Sequence, residues 1–242
     1  MQTHPKGDAM RDLPAERSGH VDALIRARRA VRAFDSRLVD RQTVVEILEL
    51  ARHAPSNSNL QPWYVYVLSG ENKLALSRAL MRAHTTESNA HGFVYDPFPH
   101  NLGGKFQTRR QDFGVRYYGL LGIELADQQG RHAQTGRNFD FFGAPIGLIF
   151  AIDSSLERTS WLDCGLFIQN IMLLAKARGL DTCPQMAFAK YHRVIREELD
   201  LPENEIVVCG MSLGYADSRA PVNTLTIPRA EVCDFATFLG FP

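Results

Sequence analysis

Two stretches in the first quarter of the sequence concentrate side chains that bind ligands. Residues 26–37 contain five arginines, and residues 54–63 read Ala-Pro-Ser-Asn-Ser-Asn-Leu-Gln-Pro-Trp. Guanidinium groups bind phosphate through paired, charge-assisted hydrogen bonds. Hydroxyl and amide groups suit an uncharged ligand edge that carries several donors and acceptors. The first stretch could therefore grip a phosphate, and the second could bind a neutral polar ligand.

Both stretches also have an ordinary structural explanation. Most arginine clusters form a solvated basic face, and Pro, Ser and Asn are common turn formers between a helix and a strand. Arg28 and Arg32, however, alternate with small or apolar residues, which favours an extended segment lying against the protein body. With those arginines upstream, the neutral loop favours a ligand such as the pyrimidine ring of a flavin or a sugar-like chain.

Conventional catalytic motifs are not supported by their sequence context. Residues 210–214, Gly-Met-Ser-Leu-Gly, match the nucleophile elbow of α/β hydrolases. That elbow needs a helix just after the serine and a histidine downstream, yet a loop is predicted there and no histidine follows His192. The histidines and cysteines lack metal-ligand spacing, and no glycine-rich phosphate-binding motif occurs. The sequence predicts no metal site.

Hydrophobic periodicity predicts the elements that position these residues. A helix is expected from Ser18 or Gly19 to the arginines, and others over residues 41–53, 71–83, 107–127, 156–178 and 190–199. Strands are expected over residues 63–68, 146–152 and 206–213. Pro55 ends the second helix, so the polar loop should connect it to the first strand. The irregular residues 84–106 are typical of a lid or binding loop.

The helix at 156–178 is apolar on nearly every side between Leu162 and Ala175. Such a helix must be buried all round, either inside the domain or at a subunit interface. Long helices and few strands indicate a mixed α/β or α+β layered fold. Residues 1–18 lack the apolar core of a signal peptide, so we expect a flexible tail before a single domain over residues 19–242.

The composition excludes some partners. Lys and Arg together number 27, as do Asp and Glu, so no net charge recruits nucleic acid or an acidic membrane. No apolar run is long enough to span a bilayer. Four widely spaced cysteines without a CxxC pair predict free thiols and a cytoplasmic location.

Four blocks, in order, resemble the FMN-dependent nitroreductase family, and in particular its bacterial nitroaromatic-reducing branch. The resemblance covers residues from about 20 to about 238. The blocks are Arg-Arg-Ala-Val-Arg-Ala-Phe at 28–34, the polar loop 54–63, Gly-Leu-Asp-Thr-Cys-Pro-Gln at 179–185 and Gly-Met-Ser-Leu-Gly-Tyr at 210–215. Ala30 stands where the family often has serine, and Cys-Pro-Gln-Met follows Thr182 where Glu-Gly or Gly-Gly is common.

The resemblance implies a three-layer α/β/α fold of the α+β class, with a mixed, mostly antiparallel central sheet and an intertwined homodimer. It also implies an enzyme that transfers two electrons from NAD(P)H through FMN to a small aromatic acceptor, a nitroaromatic compound, by a ping-pong mechanism. Quinone or flavin reduction, dehalogenation, and flavin binding without turnover stay open as alternatives. The nicotinamide preference, the physiological acceptor and the extent of nitro reduction are not specified.

The same resemblance assigns roles to individual residues. Arg28 and Arg229 would hold the FMN phosphate, Arg29 and Ala30 would lie along the ribityl chain and ring edge, and Arg32 would lie near N1, where reduced flavin carries negative charge. The partner subunit would contribute Pro55, Ser56, Asn57 and Asn59. The N5 side of the ring would be approached by Pro184, Gln185 and Met186. The aromatic residues Phe113 and Tyr117 would limit acceptor size, although such a stripe is also common in a core or interface.

Overall fold

The structure is a computed structural model that describes residues 15–99, 101–156 and 158–241. The helices in these ranges are α1 (Ala15–Ala27), α2 (Arg41–Ala51), α3 (Gly70–Thr86), α4 (Gly104–Leu120), α5 (Gln128–Gly136), α6 (Arg158–Ala177) and α7 (His192–Leu199). The strands are β1 (Trp63–Leu68), β2 (Ile146–Asp153), β3 (Asp181–Gln185) and β4 (Glu205–Gly214). The described residues thus contain more helix than strand, and helices separate most of the strands along the chain.

Most elements lie close to their predicted positions, with a few differences. The first helix begins at Ala15, before the predicted start, and residues 1–14 of the predicted tail lie outside the described residues. The helix predicted over 107–127 ends at Leu120. Gly122, two residues later, has a left-handed φ of 65°, which is the common way for a glycine to terminate a helix. Strand β3 is not among the predicted strands, because Pro184 weakens the strand signal of its sequence.

The four strands form one sheet in the order β1-β2-β4-β3, and every neighbouring pair is antiparallel. The arginine segment lies beside β3 at the edge of this sheet. Ala30 forms a single parallel bridge to Thr182, and the Val31 N–H donates to the Thr182 carbonyl at 3.0 Å. The arginine segment is therefore extended, as predicted, and its backbone is tied to the sheet edge.

Helices cover both faces of the sheet, so the fold has three layers. Side chains of β2 alternate between the two faces, because successive residues of a strand point in opposite directions. Leu148 and Phe150 pack against α2 and α6, whereas Ile149 packs with residues of α3 and α7. The prediction of a three-layer α+β fold with a mostly antiparallel sheet is confirmed.

Helix α6 exposes part of its apolar surface. Phe167 and Ile171 are buried against the sheet, but Leu162 is 67% exposed and Leu166 is 39% exposed. The prediction that α6 is buried all round inside the domain is therefore wrong, because no described element covers that side of the helix. The alternative, burial at a subunit interface, stays a prediction. Among the described helices, none is both long and apolar enough to cross a membrane.

Candidate functional site

Arg28 and Arg229 border one groove. Arg28 follows α1, and its backbone N–H still donates to the Leu24 carbonyl at 2.9 Å. This hydrogen bond fixes the position of the Arg28 backbone. The groove has a volume of about 650 Å³ and also contacts Gln169 and Met172 of α6. Arg229 reaches it from the C-terminal segment, with Nη1 donating to the Ile227 carbonyl at 2.9 Å. The two predicted phosphate ligands are thus brought together across 200 residues of chain.

Asn223 clamps the arginine segment on the side away from β3. Its side-chain oxygen accepts from the Arg32 N–H at 2.9 Å, and its amide nitrogen donates to the Ala33 carbonyl at 2.8 Å. Asn223 is itself 5% exposed, so this contact is protected from water. Backbone bonds to Thr182 on one side and Asn223 on the other hold residues 30–33 extended. Arg29, by contrast, is exposed.

The Arg32 side chain lies against the aromatic residues of α4. Its guanidinium carbon is 5.0 Å from the Tyr117 ring centre and 5.5 Å from that of Phe113, within the range of cation–π attraction. The two rings stack with centres 5.4 Å apart. Tyr117 accepts a hydrogen bond from Gln134 Nε2 at 2.8 Å, and burial raises the pKa of its hydroxyl. The predicted substrate residues therefore lie beside the predicted flavin-edge arginine.

Cys183 lies within electrostatic range of both Arg28 and Arg32. Burial raises the pKa of its thiol to about 11, and the two guanidinium groups offset only part of that rise. The thiol is consequently neutral near pH 7. Within the described part of the chain, neither Arg28 nor Arg32 forms an ion pair with a carboxylate, so their positive charge is available to a bound anion.

The loop 55–61 is held in an unusual backbone conformation. Ser58, Asn59 and Gln61 have φ values of 51°, 57° and 48°, in the left-handed region that costs energy for most residues. The N–H of Asn57 donates at 3.0 Å to the buried carboxylate of Asp163 in α6. This anchor lets the rest of the protein hold the loop in a strained shape.

The predicted ligand residues of the same loop are largely exposed in one chain. Pro55, Asn57 and Asn59 are exposed and Ser56 is half-buried, although Pro62 beside them is buried. The Ser56 hydroxyl accepts from the Gln61 N–H at 3.1 Å. In the ranges that the structure describes, no hydrogen bond joins the loop to the arginine segment. Within one chain the described residues of these two groups are therefore not bonded to each other.

The segment Pro184–Met186 is divided between buried and exposed side chains. Gln185 is 3% exposed, with Nε2 donating to the Asn138 carbonyl at 2.8 Å and Oε1 accepting from the Ser212 hydroxyl at 2.7 Å. Its side chain is therefore occupied, whereas Pro184 and Met186 are exposed. Ser212 is fully buried inside β4, so the hydrolase motif is not a nucleophile elbow, as predicted.

Two side chains that support the site, Asp163 and Asn223, carry weak sequence signals. Asp163 is a lone carboxylate in an apolar helix. Because a buried charge needs a partner, its position indicates a contact with another part of the protein. Asn223 lies in a loop and has no pattern to mark it. The described residues contain no group of three or more His, Cys, Asp or Glu side chains placed to hold a metal ion.

The donor set fits flavin mononucleotide. A phosphate dianion needs guanidinium donors without competing carboxylates, which the groove of Arg28 and Arg229 provides. Arg32 adds a fixed positive charge at a position suited to a ring edge, and its flanking backbone is immobilised. The three-layer α+β fold and this donor set define the class of protein as a flavoprotein.

Within that class, the chain belongs to the nitroreductase family, whose model matches residues 25–215. It is 49% identical to a 4-nitrobenzoate reductase of Pseudomonas putida, over 91% of this chain and 96% of that protein. It is 42% identical to a nitrobenzene nitroreductase of Ectopseudomonas oleovorans, over 92% of this chain and 98% of that protein. The crystal structure of the FMN-dependent nitroreductase NfnB from Mycobacterium smegmatis in complex with NADPH superimposes with a TM-score of 0.87 at 36% identity, covering 92% and 99% of the two chains.

Proposed function

We propose that this protein is an NAD(P)H-dependent FMN oxidoreductase that transfers two electrons to nitroaromatic compounds. The observation that carries the proposal is that Arg28 and Arg229, neither of which pairs with a carboxylate among the described residues, border one groove. Arg32, on the same segment as Arg28, packs on Phe113 and Tyr117. The relatives that the chain resembles are named for the reduction of nitrobenzoate, nitrobenzene and chloronitrobenzene.

The chain's own residues bind and orient the cofactor. Arg28 and Arg229 hold the phosphate, and Arg29 and Ala30 follow the ribityl chain toward Arg32. FMN, when bound, carries the electrons between NAD(P)H and the acceptor. Arg32 would place its positive charge beside the ring edge and stabilise negative charge there. Pro184, Gln185 and Met186 would approach the ring with backbone groups, since the Gln185 side chain is already hydrogen-bonded.

The electron donor and the nitro compound use one binding site in turn, which gives ping-pong kinetics. The sequence has no second nucleotide-binding motif to hold the nicotinamide elsewhere. Phe113 and Tyr117 form a flat, partly buried wall against which a planar acceptor packs. Their size limits the acceptors that enter.

The active form is a homodimer. Leu162 and Leu166 leave an apolar strip on α6, and the C-terminal residues Phe235, Phe238 and Phe241 are 65–74% exposed in one chain. A second copy covers these surfaces and supplies Pro55, Ser56, Asn57 and Asn59 to the neighbouring site. The four cysteines are unpaired, and three of them are buried, which suits the reducing cytoplasm.

Two measurements on the purified protein test this function. The protein should be yellow from bound FMN, lose its colour when NADH or NADPH is added without oxygen, and regain it when 4-nitrobenzoate or nitrobenzene is added. Initial rates at several fixed acceptor concentrations should give parallel double-reciprocal lines. A yellow protein that no nicotinamide bleaches would be a flavin-binding dimer without turnover. Bleaching followed by reoxidation with quinones only would favour the quinone-reductase alternative.

A further inference from the structure

A second groove lies beside α4 and carries cations that the proposed flavin site does not use. Its volume is about 1000 Å³, and it runs along α4 toward α5. The charged and amide side chains that border it are Asn101, Gln107, Arg110, Gln111 and Arg131. No acidic side chain borders it among the described residues. A groove with two cations and no carboxylate is suited to an anionic ligand.

This groove adjoins the proposed site of electron transfer. Phe113 borders it, and the ring of Phe113 also contacts the Arg32 guanidinium at 5.5 Å. Arg110 lies one turn before Phe113 on α4, and residues three apart share a helix face. The rise between them is about 4.5 Å along the helix axis. A small rigid ring that touches Phe113 can therefore present a second substituent to Arg110.

The two cations are not neutralised by their neighbours. Arg131 Nη1 donates to the Leu125 carbonyl at 2.7 Å, and its guanidinium carbon lies 5.6 Å from the Tyr118 ring centre, so an uncharged acceptor and a ring hold it. Arg110 is exposed and forms no ion pair with any described residue.

Of the carboxylates close in sequence to the groove residues, Asp112 and Asp127 are already engaged. Asp112 pairs with Arg116 at 2.8 Å, and Asp127 accepts the Gly130 N–H at 2.8 Å at the start of α5. Glu124, on the turn between α4 and α5, does not border the groove. Both arginines therefore keep donors free for an incoming anion.

We propose that this groove binds the carboxylate of an aryl-carboxylate acceptor, with Arg110 as its main ligand and Arg131 as the second. The inference rests on the proposed function and adds a substrate class to it: nitroaromatic acids whose nitro and carboxylate groups lie at opposite ends of the ring. An arginine fork binds a carboxylate with two parallel, charge-assisted hydrogen bonds, and a neutral nitroaromatic lacks the negative charge that strengthens them. The 2′-phosphate of NADPH has the same anionic chemistry, and the experiment separates the two sources.

The test compares 4-nitrobenzoate with its neutral analogue 4-nitrobenzamide. In the Arg110→Gln variant, kcat/KM for 4-nitrobenzoate should fall about tenfold, the loss expected for a partly exposed charged hydrogen bond. The value for 4-nitrobenzamide should stay within about twofold of wild type, because the amide makes no such ion pair. Arg110→Lys should fall between the two, since lysine keeps the charge but loses the fork.

Arg109→Gln is the matched control. It removes the same charge from the adjacent position of the same helix, but Arg109 does not border the groove. This variant should reduce both compounds at nearly the wild-type rate. An equal fall with Arg109→Gln would show a general field effect and overturn the subsite.

Further outcomes distinguish the remaining possibilities. A fall in kcat/KM for NADPH, but not for NADH or 4-nitrobenzoate, would assign Arg110 to the 2′-phosphate of NADPH and overturn the carboxylate assignment. Equal losses with 4-nitrobenzoate and 4-nitrobenzamide would also overturn the carboxylate assignment. A wild-type protein that reduces neither compound would refute the proposed function. Titration of the oxidised holoenzyme with benzoate and benzamide still tests the subsite in that case. Benzoate should bind about tenfold more weakly to Arg110→Gln, and equal benzoate affinity would overturn the subsite.

Discussion

Asp163 controls the shape of the polar loop, and its removal should release that loop. The carboxylate is 4% exposed and accepts the Asn57 N–H at 3.0 Å. A hydrogen bond to a charged group contributes ~1.5–3 kcal/mol. Asn57 is itself exposed, so its freed N–H regains water, and the loss in Asp163→Ala should lie near the lower limit, about 1.5 kcal/mol. Asp163→Asn keeps an acceptor oxygen and should lose about 0.5–1 kcal/mol.

The assay has two parts. Urea unfolding of the FMN-free protein gives the loss in unfolding free energy. All variants are compared at one protein concentration, because the stability of the proposed dimer depends on concentration. Fluorescence titration with FMN gives the cofactor Kd, which should rise by up to about tenfold in Asp163→Ala as the left-handed residues relax. Asp112→Ala breaks the exposed ion pair with Arg116 and should cost less than about 0.5 kcal/mol. If Asp163→Ala matches this control in both stability and FMN affinity, the carboxylate does not position the loop.

Three further predictions follow from the same structure. Arg28→Glu and Arg229→Glu should each give a folded but mostly colourless protein, because each substitution places a carboxylate against the FMN phosphate. Absorbance gives the ratio of FMN to protein. Full FMN content in both variants would refute the phosphate assignment. Burial lowers the pKa of His84 below its ordinary value of 6.5, so the folded state binds fewer protons and the unfolding free energy should fall as pH drops below about 6.5. The His84→Gln variant should show a shallower fall in urea unfolding, and an unchanged slope would contradict this role. Burial raises the pKa of the Cys183 thiol to about 11 and that of the Cys164 thiol to about 12. Iodoacetamide at pH 8 should therefore modify neither thiol until urea unfolds the protein, which mass spectrometry of the peptides would show. Labelling of either thiol in the native protein would show that it is accessible.

Local patterns predicted the parts of the fold that depend on short-range rules. Asp40 precedes α2 and is a residue type that favours the N-cap, and its carboxylate accepts the Gln42 N–H at 3.1 Å. The strands β1, β2 and β4 were visible because apolar, β-branched and aromatic runs mark them. Helix α5 was not expected, since its sequence Gln-Gln-Gly-Arg-His-Ala-Gln-Thr-Gly carries almost no apolar stripe. Its existence depends on tertiary contacts, including its packing on α3.

The site shows the same division between local and long-range information. Residue types and order identified the arginines and the loop, and the resemblance gave them roles. The contact between Arg32 and Asn223 spans 191 residues and leaves no local mark in the sequence. The left-handed conformation of Ser58 and Gln61 is also invisible, because neither residue prefers it and a distant anchor at Asp163 imposes it. The packing of Arg32 on Phe113 and Tyr117 depends on how the long segment after α3 places α4.

The outward-facing loop has a genetic consequence in the proposed dimer. In the proposed dimer each flavin site takes its arginines from one chain and its polar loop from the other. A substitution that impairs the arginine segment and one that impairs the loop can therefore be carried by different chains. A dimer that joins an Arg28→Glu chain to an Asp163→Ala chain has one site with both defects and one site with neither. Two defective alleles of this gene expressed together should therefore complement each other and give more nitro reduction than either allele alone. Two alleles that both alter the arginine segment should not.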